Sequence, residues 1–344
     1  VRRAKELEKT QWLTLDELKD LQWRKLKVIL TNAQNNVPYY QQLFKRHGIN
    51  VHKFQSPTDL GQIPILSKRD IRKNQKALLS TCYKEKDLKR DSTSGSTGEI
   101  IYFYHDRNCR AWFLGNMMRN NRWMGLDIGE PEVMIWGSSF DLRAASKVVG
   151  RMKTFWANKY YISAFDLHPE ALKSHIAYLQ KKQAPLISGY GSALYIVANY
   201  MIEHDVHDIR PKGIVTSAEM LFSHQREQIE KAFGCKVFNR YGCREFATIA
   251  HECEYGNLHI PMERVYVEVA GEEDRQWGVE PGELIITDLD NNGMPMIRYN
   301  IEDIGALEEP GKTCTCGRGL SLMREIQGRV FDVVKTPSGR MLPG

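Results

Sequence analysis

No apolar run in this sequence approaches the length of a bilayer span, so a membrane-spanning helix is not expected. The N-terminus, Val1-Arg2-Arg3-Ala4-Lys5-Glu6, lacks the apolar core of a secretory signal, and a cytoplasmic location is the expectation that follows. An even set of cysteines is missing: seven in a chain this long argue against a secreted disulfide framework. Also missing is the concentrated basic patch of a nucleic-acid binder, because the net charge of +6 comes from Lys and Arg spread among acidic residues. No nucleic-acid partner is expected. There is no internal repeat and no low-complexity tract. Finally, no lysine follows Gly98, which removes the nucleotide loop of kinases and GTPases from consideration.

What remains is an ordinary globular composition, and 344 residues suffice for one large core or two domains. Residues 1–90 read as helical scaffold. Thr14-Leu15-Asp16-Glu17 is a capping box, continued by Leu18, Leu21, Leu26, Ile29 and Leu30 until Val37-Pro38-Tyr39-Tyr40 breaks the helix. A second capping box, Ser67-Lys68-Arg69-Asp70, follows Pro64-Ile65-Leu66. Residues 91–254 alternate strand and helix. Strands are expected at Ile100–Tyr104, Glu132–Trp136, Leu186-Ile187, Ile214-Val215 and Lys236–Phe238. Helices open at His168-Pro169 and Ser192, and another runs from Ser223 to Phe233 and closes at Gly234. Such alternation predicts a mostly parallel, helix-flanked sheet whose ligands collect at the carboxyl ends of the strands. From about residue 255 to 330 the pattern turns β-rich, as in a distorted barrel or antiparallel sheet. Cys82, Cys109, Cys235 and Cys243 stand alone and read as small buried or half-buried apolar side chains.

The chemistry begins at Asp91-Ser92-Thr93-Ser94-Gly95-Ser96-Thr97-Gly98-Glu99. Seven Ser, Thr and Gly residues out of nine cannot build a core, but they can build a phosphate cradle from backbone N–H groups and hydroxyls. A flexible Ser/Gly linker reads equally well from composition alone. Asn239-Arg240-Tyr241-Gly242-Cys243-Arg244-Glu245 follows an expected strand: its aromatic face can stack on a base and its carboxylate can hold a hard cation. The bland alternative is a solvated loop with a surface ion pair. Cys253, His259, Cys314 and Cys316 are ligand types that suit tetrahedral Zn²⁺, set against unconnected thiols and a solvated histidine.

Taken together, these segments resemble the adenylate-forming superfamily, the acyl- and aryl-CoA ligases. The resemblance spans roughly residues 90–335, and Val37-Pro38-Tyr39-Tyr40 with Ile63-Pro64-Ile65-Leu66-Ser67-Lys68 narrows it to the phenylacetate–CoA ligase-like branch, which includes capsular polysaccharide biosynthesis-type members. It implies the large N-terminal domain of those enzymes, in which a carboxylic acid is activated by ATP to an acyl-adenylate and passed to a thiol, usually coenzyme A. By resemblance Ser92, Thr93, Ser94, Gly95, Ser96, Thr97 and Gly98 hold phosphate. Ser217, Ala218 and Glu219 run along the adenine, Asn239 reaches its amino group, Tyr241 stacks on it where Gly242 permits the close approach, and Glu245 binds Mg²⁺. Arg244 stands where the family usually has Ser or Thr on the α-phosphate; it can replace that hydroxyl or pair with Glu245.

Met294–Asp303 looks like the Arg-Tyr-Arg-Thr-Gly-Asp segment whose aspartate accepts both ribose hydroxyls, so Asp303 takes that role, while Asn300, Ile301 and Glu302 depart from the pattern. Arg329, in Gly328-Arg329-Val330-Phe331-Asp332, contacts the nucleotide, and Asp332 is the hinge. Tyr190, Gly191, Ser192 and the aromatic-rich segment Trp136 to Phe140 are the candidates for lining the acid pocket, set against the reading that bulky residues there are core. Residues 331–344 are the hinge and the start of a C-terminal lid that supplies a lysine to adenylation; the rest of that lid is expected beyond Gly344. Some relatives carry a Cys-x-Cys-Gly-Arg segment like the one at Cys316-Gly317-Arg318. A homodimer stays open, and so does a nucleotide-binding homologue that regulates or scaffolds without turnover.

Overall fold

A computed structural model describes residues 1–93, 100–137, 154, 158–270, 281–329, 333–335 and 341–343. The expected phosphate residues Ser94, Gly95, Ser96, Thr97 and Gly98, residues 138–140 and the hinge at Asp332 lie outside the described residues. The chain forms two compact units: Val1–Arg119 with Cys243–Ala250 and Asn257–Gly344, and Asn120–Gly242 with His251–Gly256.

Helix α1 (Arg2–Thr10) leads into α2 (Leu15–Asn36), which starts at the expected capping box: Thr14 Oγ1 accepts from Glu17 N, and Glu17 returns a carboxylate to Thr14 N at 2.8 Å. Leu18, Leu26, Ile29, Leu30 and Ala33 bury one stripe of α2. Pro38 ends α2 because it cannot donate to the ladder. Rather than only breaking the helix, it opens α3 (Pro38–His47), where its missing N–H costs nothing. The second capping box, on Ser67, starts α4 (Lys68–Asn74). Strands β1 (Lys89–Ser92) and β2 (Tyr102–His105) form an antiparallel hairpin closed at its neck by Thr93 N donating to Ile101 O at 3.1 Å. Asp106 then caps α5 (Arg107–Trp123): one carboxylate oxygen accepts from Cys109 N, the other from Asn292 N and Gly293 N. Contrary to expectation Cys82 is exposed, since it sits in a short turn with no apolar layer over it.

The second unit holds β3 (Glu132–Trp136), β4 (Lys159–Ser163), α6 (Pro169–Lys182), β5 (Leu186–Gly189), α7 (Gly191–Glu203), β6 (Gly213–Ser217), α8 (Ser223–Phe233) and β7 (Val237–Tyr241). The strands pair in parallel in the order β4-β3-β5-β6-β7. Strand β4 was not expected: Lys159-Tyr160-Tyr161 carries no apolar alternation, and pairing with β3 decides it. Strand β7 runs through Tyr241, so Asn239, Arg240 and Tyr241 lie on the strand and not in the turn after it. Side chains alternate across a strand, and that puts Val237, Asn239 and Tyr241 on the face carrying Val133, Ile135, Ile187 and Ile214. Helices α6, α7 and α8 cover that face through Leu172, Ile176, Leu194, Val197, Ile229 and Phe233. Arg240 points to the opposite face with Glu132 and Ser188. There Glu132 pairs with Lys159 at 2.7 Å and accepts from Ser188 Oγ at 2.6 Å.

After β8 (Ala250–Glu252) the first unit resumes with β9 (Leu258–His259), β10 (Val265–Ala270), β11 (Gly282–Asp288), β12 (Tyr299–Leu307) and β13 (Leu322–Arg329), antiparallel in the order β10-β11-β12-β13-β9. Ile285 faces Asn300 while Glu283 faces Ile304, so β12 bulges between those positions. The chain is therefore a mixed α/β fold, with a helix-flanked parallel sheet in one unit and an antiparallel sheet in the other.

Candidate functional site

In the first unit the structure gathers Glu245, Tyr299, Asp303, Arg329, Arg244 and Asp91 into three contacts. Tyr299, fully buried on β12, donates its hydroxyl to Glu245 Oε1 at 3.2 Å, and Glu245 is itself only 5% exposed. Burial first, and the Glu245 charge second, push the Tyr299 phenol far above its usual range, so it stays a donor. The backbone of this turn is fixed as well. His105 Nε2 lies 2.8 Å from Glu245 O; burial lowers the imidazole pKa, and the neutral ring donates to that carbonyl. Arg264 Nη1 donates to the neighbouring Phe246 O at 3.4 Å.

Arg264 belongs to a buried charge group behind the turn. It pairs with Asp290 at 3.3 Å, and Lys25 joins the same carboxylate. Burial nevertheless raises the Asp290 pKa to about 6, against the pull of Lys25 and Arg264. The second contact is cross-strand. Asp303 faces Arg329 in the β12–β13 register, and Arg329 Nε lies 3.8 Å from Asp303 Oδ1. In the third, Arg244 approaches Asp91 at 3.6 Å, at the foot of the Ser/Thr/Gly loop.

In the second unit, the predicted residues sit at the carboxyl ends of parallel strands. Ser217 closes β6 and donates to Arg240 O at 2.9 Å. Ala218 follows in the left-handed region at φ 69°, a conformation costly for a residue with a Cβ and frequent where backbone is held for a purpose. Glu219 accepts from Ser192 N at 3.0 Å and Ser192 Oγ at 2.7 Å, fixing the first turn of α7, which opens at Gly191 just after Tyr190. Asn239 N donates to Glu252, both of whose carboxylate oxygens accept from Arg226 Nη2, at 2.7 and 2.9 Å. Tyr190 stacks at a tilt on Trp136, with ring centroids 4.7 Å apart. A Cβ on Gly137 would lie 2.7 Å from the Tyr190 ring, so that ring packs directly on glycine backbone.

Cys253, His259, Cys314 and Cys316 come together: their ligand atoms all lie within 4.8 Å of one another. Cys253 opens a tight turn (Gly256 N to Cys253 O, 2.9 Å) that leads into β9 and His259. Cys316 Sγ lies 3.3 Å from His259 Nε2, and Asn257 Nδ2 donates to Cys314 Sγ at 3.2 Å. Zn–S near 2.3 Å and Zn–N near 2.0 Å in a tetrahedron put ligand atoms roughly 3.5–3.8 Å apart, so three thiols and one imidazole at this spacing fit such an ion. The knuckle is braced from outside. A Cβ on Gly319 would meet Leu13 O at 1.9 Å, so only glycine allows this approach.

Sequence reasoning missed His105 and Arg264, which hold this turn through its backbone carbonyls and leave no motif. Tyr299 has no role of its own in the sequence pattern, and the segment before α4 reads there as a family marker within helical scaffold, with no part in the site.

No protein-family model matches the chain. Among curated proteins it is similar to Protein CapK of Staphylococcus aureus, 28% identical over 302 residues, covering 85% of this chain and 64% of that protein. It is also similar to the phenylacetate-coenzyme A ligase of Aromatoleum evansii, 25% identical over 340 residues, covering 96% of this chain and 74% of that enzyme. The chain thus spans about two thirds to three quarters of these relatives. Among solved structures, 2-hydroxyisobutyryl-CoA ligase in its postadenylation state with 2-HIB-AMP superposes with a TM-score of 0.77 at 19% identity, over 96% of this chain and 71% of that one. At that identity the likeness establishes the fold.

Proposed function

Since this chain belongs to the adenylate-forming superfamily, on its phenylacetate–CoA ligase-like branch, we propose that it activates a carboxylic acid with ATP and passes the acyl group to coenzyme A. A carboxylate oxygen attacks the α-phosphorus, the bond to the bridging oxygen of the β-phosphate breaks, and pyrophosphate leaves. The thiol of coenzyme A then attacks the acyl carbon, loses its proton, and AMP departs. The supporting observation is the set of contacts in the first unit: Glu245 is fixed by Tyr299, and Asp303 faces Arg329. Carboxylates fixed in this way would hold a hard cation and the ribose in place, and the positive charge of that cation and of Arg329 offsets a crowded, anionic transition state.

In this reading Glu245 binds Mg²⁺, and Asp303 accepts the ribose hydroxyls. The backbone at Ser217, Ala218 and Glu219 runs beside the adenine, with Tyr241 and Gly242 against its face and Asn239 at its amino group. Tyr190 and Gly191 border the acid. Arg244 moves between Asp91 and the α-phosphate, and Arg329 between Asp303 and the nucleotide. A Zn²⁺ held by Cys253, His259, Cys314 and Cys316 fixes the loops around β9 and takes no part in the reaction.

The test is acid-dependent pyrophosphate release by the full-length protein across a panel of carboxylic acids with Mg²⁺ and ATP. Release that rises with one class of acid is expected. ATP binding without release for any acid would favour a homologue that holds nucleotide without turnover.

A further inference from the structure

Segment Gly61–Lys68 lies along the start of β12 like an added strand. Leu66 N donates to Arg298 O at 2.9 Å, Asn300 N donates to Leu66 O at 3.0 Å, and Arg298 Nη1 donates to Ile63 O at 2.6 Å. Beyond this pairing β12 bulges, and Glu302 sits in the left-handed region at φ 64°. The family pattern has glycine there, the residue for which that conformation is free. Glutamate needs compensation, and two contacts supply it. Its N–H donates to Asn300 Oδ1 at 2.7 Å, and its carboxylate pairs with Lys68 Nζ. Lys68 gains by the same contact. It opens α4, where unpaired N–H groups disfavour a cation, and its side chain is only 12% exposed. Asn300, in turn, is steadied by Glu283. Two of the three departures from the family segment, Asn300 and Glu302, thus form one device with Lys68, and the next residue is Asp303.

We propose that Lys68 is a positioning residue for the nucleotide: through Glu302 it clamps the left-handed bulge that presents Asp303 to the ribose. This rests on the nucleotide reading above. Arg298 anchors the same stretch from the other end, bonded to the carbonyls of Gly61 and Ile63 and paired with Glu268 at 3.1 Å. Without Lys68 the bulge loses its clamp, and the Asp303 carboxylate samples orientations that miss the hydroxyls. Glycine at position 302 removes the need for a clamp.

The experiment measures dissociation constants of the full-length protein for ATP and for 2′,3′-dideoxy-ATP, with Mg²⁺ present. Lys68→Met should weaken ATP about tenfold, the worth of one charge-assisted hydrogen bond, and leave dideoxy-ATP unchanged because that nucleotide has no hydroxyls for Asp303. Adding Glu302→Gly to Lys68→Met should restore ATP affinity to within about twofold of the original. The charge exchange Lys68→Glu with Glu302→Lys, which keeps the pair, gives a second variant should Lys68→Met fold poorly, and it should bind ATP more tightly than either single change. Unchanged ATP affinity in Lys68→Met, equal losses for both nucleotides, or failure of glycine at 302 to rescue would each overturn the proposal. A wild-type protein that binds ATP no better than dideoxy-ATP would instead remove the ribose assignment of Asp303 itself.

Discussion

Tyr299→Phe removes one oxygen from a fully buried ring and leaves the packing of that ring on Phe246 in place, with centroids 5.9 Å apart. The lost contact is a hydroxyl-to-carboxylate hydrogen bond, a kind worth about 1.5–3 kcal/mol when the acceptor is charged. At 3.2 Å the bond is long for O–H···O, which argues for the low end, about 1.5 kcal/mol. For a domain of 150–250 residues, 1 kcal/mol moves Tm by about 2–4 °C, so the expected drop is about 3–6 °C by differential scanning calorimetry. Glu245→Gln is the complementary change. An amide oxygen can still accept from Tyr299, so Tm should fall less than in Tyr299→Phe. Mg²⁺-dependent pyrophosphate release should fall at least about 100-fold, the usual cost of removing one preorganised charged group. A Tyr299→Phe protein with wild-type Tm would refute the energetic reasoning. A Glu245→Gln enzyme with wild-type rate would remove the metal role of Glu245.

Two further outcomes are expected. Asp290 keeps its proton up to about pH 6 in the folded chain but to only about pH 3.9 when unfolded, so folding binds a proton in that window. Its raised pKa contributes stability below about pH 4 that is lost as pH rises through 6, up to about 3 kcal/mol; urea unfolding at pH 4.5 and 6.5 should show this, and Asp290→Asn should shrink the difference. Protein purified without chelator should carry one zinc per chain by elemental analysis, and stripping that zinc should lower Tm; zinc-free protein with the same Tm would mean that the four ligand side chains merely neighbour one another.

The helices and parallel strands were legible because their signals are local. Thr14 and Ser67 cap helices through their own i+3 partners, and Glu132–Trp136 is an apolar run long enough to name itself. Strand β4 was not legible, because Lys159-Tyr160-Tyr161 becomes a strand only by pairing with β3. The Cys/His cluster was legible from ligand chemistry, although its two halves lie more than fifty residues apart. At the candidate site, motif residues could be read in order along the chain, but what holds them could not. His105 and Arg264 grip carbonyls, which carry no residue-specific pattern. Glu302 read only as a departure from a pattern, until its left-handed backbone and its pairing with Lys68 gave the departure a physical cause.

The central claim is that a carboxylate oxygen attacks the α-phosphate of ATP. It is tested most directly with an acid labelled with ¹⁸O in both carboxylate oxygens, turned over by the full-length protein with ATP, Mg²⁺ and coenzyme A, and mass spectrometry of the AMP released. Adenylation leaves one acid oxygen bridging carbon and phosphorus, and thioester formation breaks the carbon–oxygen bond, so the AMP should carry one ¹⁸O. AMP without label, formed alongside thioester, would contradict the account.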